Sequence, residues 1–460
     1  MSAGAYDGAS VLVAGAGRSG TAAARALLAE GATVTVAEAS EERAQPLREA
    51  GFTVVDVDEP PAGTDLVVTS PGWRPDSPLL VASAAAGLEV LGEVELAWRL
   101  AHAPGRVPAP WLAVTGTNGK TTTVRMLAAV LSAAGLSTVA TGNVGLPVVE
   151  AVGAGHDVLA VELSSFQLHW SSTLRPAAGA LLNVADDHTD WHGSFQQYAL
   201  AKAKLLDADT CVGNVDDEVS RTLLRRARGR RVAFTLQAPR SGELGVVEGL
   251  LVDRAFSDDG GHHAPGEATE LASVADLAAT GDHNVANALA AAALARAHGV
   301  SADAVRRGLQ AFRPDPHRNA LVTVRDGVSW VDDSKATNPH AAGASLAAYA
   351  TVVWIAGGLL KGADVDDLVR QAAPRLRAAV LLGTDRAALR QALVRHAPQV
   401  PVVEVDRLDT GAMSVAVAAA RRLALPGDTV LLAPAAASMD CFRDYAERGD
   451  LFAHAALAGA

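Results

Sequence analysis

At 460 residues, nearly half of them hydrophobic, the chain exceeds what one hydrophobic core supports and points to about three domains. A formal net charge of −12 argues against nucleic acid as the main partner, and two cysteines, Cys211 and Cys441, exclude a disulfide framework. The N-terminus carries no basic segment ahead of an apolar run, and no apolar stretch reaches transmembrane length. A cytoplasmic protein with no membrane insertion is therefore expected.

Strands and helices alternate along the whole chain, the pattern of stacked parallel α/β units. The first block opens with a strand over Val11–Ala14, a glycine turn, a helix from Ser19 to about Glu30, and a strand over Thr33–Val36. A further strand, Leu66–Thr69, ends in Ser70-Pro71-Gly72. Residues 101–110 (AHAPGRVPAP) read as a linker. A second block starts with the strand Trp111–Thr115 and continues through strands near Val158–Glu162 and Ala178–Asn183. From about 237 to 280 periodicity is weak, with a turn-rich patch at 258–266. A long Ala-rich helix from Asn284 to about His298 follows, then a shorter one, Ser301–Ala311. Arg313-Pro314-Asp315-Pro316 marks a second linker, and the third block places strands near Val328–Asp332, Val352–Ala356, Ala379–Leu382, Val400–Glu404 and Thr429–Leu432. The expectation is three successive Rossmann-like α/β domains, at 1–107, 108–313 and 314–460, the central one a mononucleotide-binding domain.

Two glycine-rich turns carry the first chemical signals. GAGRSG at 15–20 sits between a strand and a helix, with Glu38 near the end of the next strand. Such glycines let backbone approach a diphosphate, and the acid can hold a ribose. Alone, the pattern fits a nicotinamide-dependent dehydrogenase, or a tight turn of no further purpose. TGTNGKTTT at 115–123 is more specific: its backbone N–H groups can cradle phosphates, Lys120 can neutralise β/γ oxygens and the Thr121 hydroxyl can ligate Mg2+. The usual spacing needs glycine at 114, where this chain has Val114, so the phosphate loop is a shortened one. A dehydrogenase does not account for it.

Three polar clusters follow. Glu162 ends an apolar strand in the same unit as the phosphate loop, a suitable place for a metal ligand. NVADDHTDWH at 183–192 gathers Asp186, Asp187, His188, Asp190 and His192, which suit a polar loop, a helix cap or a metal site; carboxylates disfavour zinc. DDSKATNPH at 332–340 places Asp333, Lys335, Thr337 and Asn338 before a helix N-terminus, and His317 and Arg318 add cations nearby.

Taken in order, TGTNGKTT, the strand-end Glu162, the DDH segment, GDHNVANALAA at 281–291 and HR at 317–318 resemble the Mur ligase family over essentially the whole chain. Ser70-Pro71-Gly72, ELSSFQL at 162–168 and DDSKATNP at 332–339 resemble its D-glutamate-adding members. The resemblance implies an ATP-dependent ligase of peptidoglycan precursor synthesis that joins D-glutamate to UDP-N-acetylmuramoyl-L-alanine through an acyl phosphate, with a monomer expected. It implies that Gly116, Thr117, Asn118, Gly119, Lys120, Thr121 and Thr122 hold the ATP phosphates, with Asn284, Asn287, Arg318 and Asp333 on the rest of the nucleotide. Two Mg2+ sites follow from it: Thr121 and Glu162 at the first, His188 and a carbamylated Lys202 at the second. Lys204, about 200° away around the helix, is then a solvated lysine. Asn143 matches a position facing the reacting groups, Thr337, Lys361, Ser438 and Tyr445 match D-glutamate contacts, and Arg18, Ser19 and Ser70 match contacts to the UDP moiety. The chain departs from its relatives at Ala320, where Glu is usual, and at Ala39-Ser40, where a Thr-Arg pair is frequent.

Overall fold

A computed structural model of the chain describes residues 4–257, 267–278, 281–314 and 316–458. The turn-rich patch at 258–266 and Asp315 lie outside the described residues. Two compact units emerge, Met1–Asp276 with Ala286–Phe312, and Leu277–Val285 with Arg313–Ala460. Among the described residues no helix is long and apolar enough to cross a membrane.

The first unit carries two sheets. Five parallel strands form the first, in the order Thr53–Val55, Thr33–Ala37, Ser10–Ala14, Leu66–Thr69, Glu89–Gly92. The second runs Thr269–Ser273, Leu250–Asp253, Glu243–Val247, Arg230–Phe234, Thr210–Asn214, Ala178–Leu181, Trp111–Thr115, Val158–Glu162, Thr138–Gly142. Its strands from Thr138 to Phe234 are parallel and covered on both faces, hence uniformly apolar runs such as VLAVE and WLAVT, whose five residues are all buried. The antiparallel end, residues 243–273, is where periodicity failed in the sequence. The turn there is Glu248-Gly249, both at positive φ, the geometry of a two-residue hairpin without its usual Asn-Gly or Asp-Gly signature.

One apolar core spans both sheets of this unit: Val11, Val13 and Leu27 of the first layer join Leu96, Leu100, Trp111, Leu159 and Leu168. Helix Glu93–Ala101 is the bridge. Leu96 and Leu100 are buried, each worth about 1.5–3 kcal/mol. Its first turn adds two carboxylates that leave water. Glu95 accepts the N–H and hydroxyl of both Ser172 and Thr173, together with the Arg99 guanidinium. Glu93 accepts the Val149 N–H at 2.7 Å through one oxygen, while the other is buried without a partner.

Burial therefore pushes Glu93 up from 4.5 to about 7. The unfolded chain gives up this proton near the ordinary value, and the folded chain keeps it until about 7. Between those limits the folded state binds more protons, so stability falls as pH rises and levels off above 7, by about 3 kcal/mol in all. Glu93→Gln cannot ionise and should lack this slope. Unfolding curves of both proteins from pH 4 to 8 measure it: their separation should widen up to pH 7, and a constant separation would show that Glu93 ionises as freely folded as unfolded.

The second unit has one sheet, ordered Ala320–Arg325, Val328–Asp332, Thr429–Leu432, Val352–Gly357, Leu376–Leu382, Val402–Glu404, antiparallel only at its first pair. Apolar clusters cover both faces, around Trp354, Val369 and Leu393 on one side and Trp330, Met413 and Phe452 on the other.

Candidate active site

In the second sheet, strand Trp111–Thr115 ends at the turn 116–119, and helix Lys120–Ala133 follows. Gly119, at φ +84°, is the residue before the helix, and a Cβ there would overlap Asn287 Oδ1, so only glycine fits. The loop is held from the side by Asn183. Its carbonyl accepts the Thr117 N–H at 2.9 Å, and its side-chain amide accepts from Asn118 N and donates to Asn118 O. Thr117 Oγ1 lies 2.9 Å from the Tyr198 hydroxyl. With no side-chain cap at Gly119, the helix N–H groups and dipole are aimed at the loop, an arrangement that favours an anion. Thr121 and Thr122 are buried in that first turn.

Glu162 stands at the end of the neighbouring strand, only 1% exposed. Its Oε1 accepts from Asn143 Nδ2 at 2.9 Å, and Oε2 is buried with no partner. A buried carboxyl oxygen without a donor is a fitting ligand for a cation. The following segment is fixed by a capping box between Ser164 and Gln167, which starts helix Ser165–His169 and directs Phe166 toward His188, 4.8 Å between rings. His188 has a left-handed backbone, and its Nε2 is 3.5 Å from Asp187 Oδ2.

Lys202, 2% exposed, donates to Gly116 O at 2.7 Å and lies over the Tyr198 ring. Lys120 donates to the same carbonyl at 2.9 Å and to Thr117 O. Burial, then the Lys120 charge, hold the Lys202 amine well below its usual range, with Asp187 and Glu162 acting the other way. Among the described residues no three His, Cys, Asp or Glu side chains gather as a ready metal site. The Asp190 side chain lies outside the described residues. The donors that fit a Mg2+ are thus Glu162 Oε2 and the Thr121 hydroxyl; His188 is near Lys202's partner Tyr198, and Lys202 as an amine offers no oxygen.

The glycine turn of the first sheet has Gly17 as an uncapped N-cap, with Arg18 and Ser19 in the first helical turn. Ser70 Oγ donates to Gly15 O at 3.3 Å. The Glu38 carboxylate accepts the N–H of both Ala16 and Ser40, and so ties two loops together.

In the second unit the candidate residues share the C-terminal edge of the sheet. Asn338 caps helix Pro339–Ala347, which fixes the DDSKATNP turn. Ala435 N donates to Ala336 O, Leu359 pairs with Ala437, and Ser334 Oγ donates to Tyr445 O. These contacts bring the segments bearing Thr337, Lys361, Ser438 and Tyr445 together. Lys335 lies over the Tyr445 ring, 3.8 Å from its centre. Asp333 accepts from Asn319 N and Ser345 Oγ, and burial raises its carboxyl to about 6. His317 Nδ1 donates to Asp332 at 2.6 Å, which raises the imidazole. Arg318 follows it directly, and Asn284 Nδ2 lies 3.0 Å from His283 Nε2. Arg448, unremarked in the sequence, is fully buried and donates to Ser334 Oγ, Ser334 O and Ala436 O. An arginine on a helix carries no sequence signal of burial; its role is visible only once the loops meet.

Comparisons with known proteins match this description. Residues 114–295 match the Mur ligase middle domain, 317–436 the Mur ligase glutamate ligase domain, and 11–59 a TrkA-N domain. The chain is 61% identical to a UDP-N-acetylmuramoylalanine–D-glutamate ligase of Thermobifida fusca, with 98% of each chain covered. It is 57% identical to the protein of that name in Streptomyces coelicolor, again over 98% of each. Among solved structures it is similar to UDP-N-acetylmuramate-alanine ligase of Thermotoga maritima, at TM-score 0.57 and 20% identity, covering 98% of this chain and 100% of that one.

Proposed function

The chain belongs to the Mur ligase family, and from that premise we propose that it joins D-glutamate to UDP-N-acetylmuramoyl-L-alanine at the expense of ATP, as a cytoplasmic monomer. The observation that carries the chemistry is the Glu162 oxygen buried without a donor beside a phosphate loop whose Gly116 carbonyl holds both Lys120 and Lys202. The naming of both relatives carries the choice of amino acid.

A carboxylate is a poor electrophile, so the terminal L-alanine carboxylate needs a leaving group. Its oxygen attacks the γ-phosphorus of ATP, the bond to ADP breaks, and an acyl phosphate forms. The neutral D-glutamate amine then attacks the carbonyl carbon; inorganic phosphate leaves with the C–O electron pair, and the nitrogen gives up one proton and keeps the other as the amide N–H. Lys120 and the N–H groups of Gly119, Lys120, Thr121 and Thr122, at the uncapped start of the helix, stabilise the phosphoryl charge through both steps, while the Thr117 and Asn118 N–H groups stay tied to Asn183. Thr121 and Glu162 would hold one Mg2+, His188 and carbamylated Lys202 a second; when bound, the ions neutralise charge on the transferring group. We also assign Asn143, whose side chain donates to Glu162, to the reacting groups. We assign Asn284, Asn287, Arg318 and Asp333 to the nucleotide, Thr337, Lys361, Ser438 and Tyr445 to D-glutamate, and Arg18, Ser19 and Ser70 to the UDP moiety. The three strand–turn blocks assign naturally to 1–107 for the UDP-sugar, 108–313 for ATP and 314–460 for the amino acid.

Phosphate release in the presence of UDP-N-acetylmuramoyl-L-alanine, ATP and Mg2+ tests the reading. D-Glu should be preferred over L-Glu, D-Asp and L-Lys by at least about a hundred-fold, since L-Lys lacks the second carboxylate, while the inverted centre of L-Glu and the shorter arm of D-Asp set theirs out of reach and leave polar groups of the site unpaired. Equal turnover with L-Lys or L-Glu would overturn the amino-acid assignment and leave the ligase class standing. No phosphate release with any acceptor would overturn both.

A further inference from the structure

We propose that Trp73 is a substrate-binding residue: its indole N–H donates a hydrogen bond to the diphosphate of the UDP-sugar at the first glycine turn. The inference rests on the reading that this turn takes the UDP moiety.

In the first sheet, the chain leaves strand Ser10–Ala14 toward Thr33–Ala37 on one side and later returns to pair Leu66–Thr69 on the other. The crevice beyond the ends of those two adjacent strands is a topological switch point, the place where open α/β sheets take ligands. Gly15 leaves one strand there and Ser70–Trp73 leave the other. A turn closes the second segment, with Trp73 N donating to Ser70 O at 3.1 Å. The body of the indole packs against the cluster of Leu12, Ala14, Val67, Leu79 and Leu80. That packing fixes the ring and sets its polar edge over the glycine turn: Nε1 would stand 2.7 Å from a Cβ on Gly15. Gly15 has φ +97°, so both its conformation and the indole edge exclude a side chain.

Among the described residues none accepts the Trp73 N–H, and the atom is not sealed from solvent. An accessible indole N–H held in place by its ring packing can exchange water for an acceptor that a ligand brings. Across the turn lies the uncapped start of helix Arg18–Ala29, whose Gly17 N-cap supplies no side chain. The helix N–H groups and the indole N–H are donors at the same glycine turn, and phosphate oxygens are acceptors with no donor of their own. A neutral, rigid donor also suits a diphosphate beside Glu38, whose carboxylate already occupies the Ala16 N–H.

The test is Trp73→Phe in the full chain, which keeps the ring body and removes the donor. Calorimetry with UDP, and with uridine as the phosphate-free probe, reads the contact directly. UDP should bind about ten-fold more weakly or worse, because the lost bond is to a charged acceptor, while uridine binds equally to both proteins. In turnover, KM for the UDP-sugar should rise with kcat held and KM for ATP unchanged, the pattern of lost uniform binding. Equal UDP affinity in the two proteins would overturn the proposal. A loss for uridine as large as for UDP would also overturn it, by placing the N–H on the base. A wild-type protein that binds no UDP would overturn the reading beneath it, a result visible without the variant. Should Trp73→Phe melt lower than wild type, UDP-induced change in tryptophan emission at a temperature where both are folded decides: it should be smaller in the variant, and identical changes would count against the contact.

Discussion

Lys202→Ala should lower turnover by about a thousand-fold or more, since a lost metal site removes several kcal/mol of charge stabilisation. The expectation follows from an awkward pair. Lys202 and Lys120 both donate to the Gly116 carbonyl, so two ammonium groups would share one small buried space. Burial and that neighbour hold the Lys202 amine well below its usual range, which keeps a nucleophilic, uncharged fraction available. Addition of CO2 to it releases a proton and leaves a carbamate, turning repulsion by Lys120 into attraction and supplying oxygens that Glu162 and His188 alone do not. In wild-type protein equilibrated with 13C-bicarbonate, a carbamate carbon resonance should be present, and in Lys202→Ala absent. Millimolar formate or acetate should restore part of the variant's activity by filling the vacated position. Wild-type turnover in Lys202→Ala, or a wild-type protein with no carbamate resonance under bicarbonate and Mg-nucleotide, would end the idea. Lys204 is the control, though not the freely solvated residue its sequence position suggests. Its ammonium donates to His169 O and Ser171 O, so Lys204→Ala should cost about 1–2 kcal/mol of stability while leaving kcat near wild type.

Arg296→Met should destabilise the first unit by about 3–5 kcal/mol. Arg296 and Asp253 form an ion pair at 2.9 Å, with side chains 3% and 0% exposed. Every part of the pair is spoken for: Asp253 also accepts from Ala255 N and Phe256 N, and the guanidinium donates to Val300 O and Phe256 O. Removing the arginine leaves a carboxylate in the interior with only two backbone donors and strands two carbonyls. The pair joins the strand Leu250–Asp253 to the end of helix Asp282–Ala297. Urea unfolding measures it, and Asp253→Leu combined with Arg296→Leu should lose less than the sum of the single changes. A shift below about 1 kcal/mol in Arg296→Met would show that water reaches the site.

Local signals were legible in the sequence where the chemistry is local. Apolar runs ending in Thr115 and Glu162, and glycines at 116 and 119, mark a phosphate loop because turn geometry dictates residue type. Contacts between distant segments were not. Nothing in Asn287 predicts that its amide would close against Gly119 and the Thr123 hydroxyl. Glu93 and Glu95 lie in the first turn of a helix, where acids commonly face water, and only tertiary packing makes them interior groups. The strands from 243 to 273 escaped notice because Glu248-Gly249 stands where an Asn-Gly turn would have announced them. Lys202 was singled out through family likeness, and the helical offset from Lys204 separated the two; the burial of one and the carbonyl partners of the other needed the fold.

The five donors on Glu95 also bear on how such a chain can be taken apart. The Pro- and Gly-rich stretch at 101–110 looks like the natural place to cut, yet helix Glu93–Ala101 ends just before it, with its anchors at 172 and 173 on the far side. A scissor placed there would leave one fragment with Glu93 parted from Val149, Glu95 left with Arg99 alone and an apolar stripe facing water, and the other with a slot lined by idle amides and hydroxyls. Halves made by such a cut should therefore stay together until those donors are released, and their co-purification measures the grip of one helix.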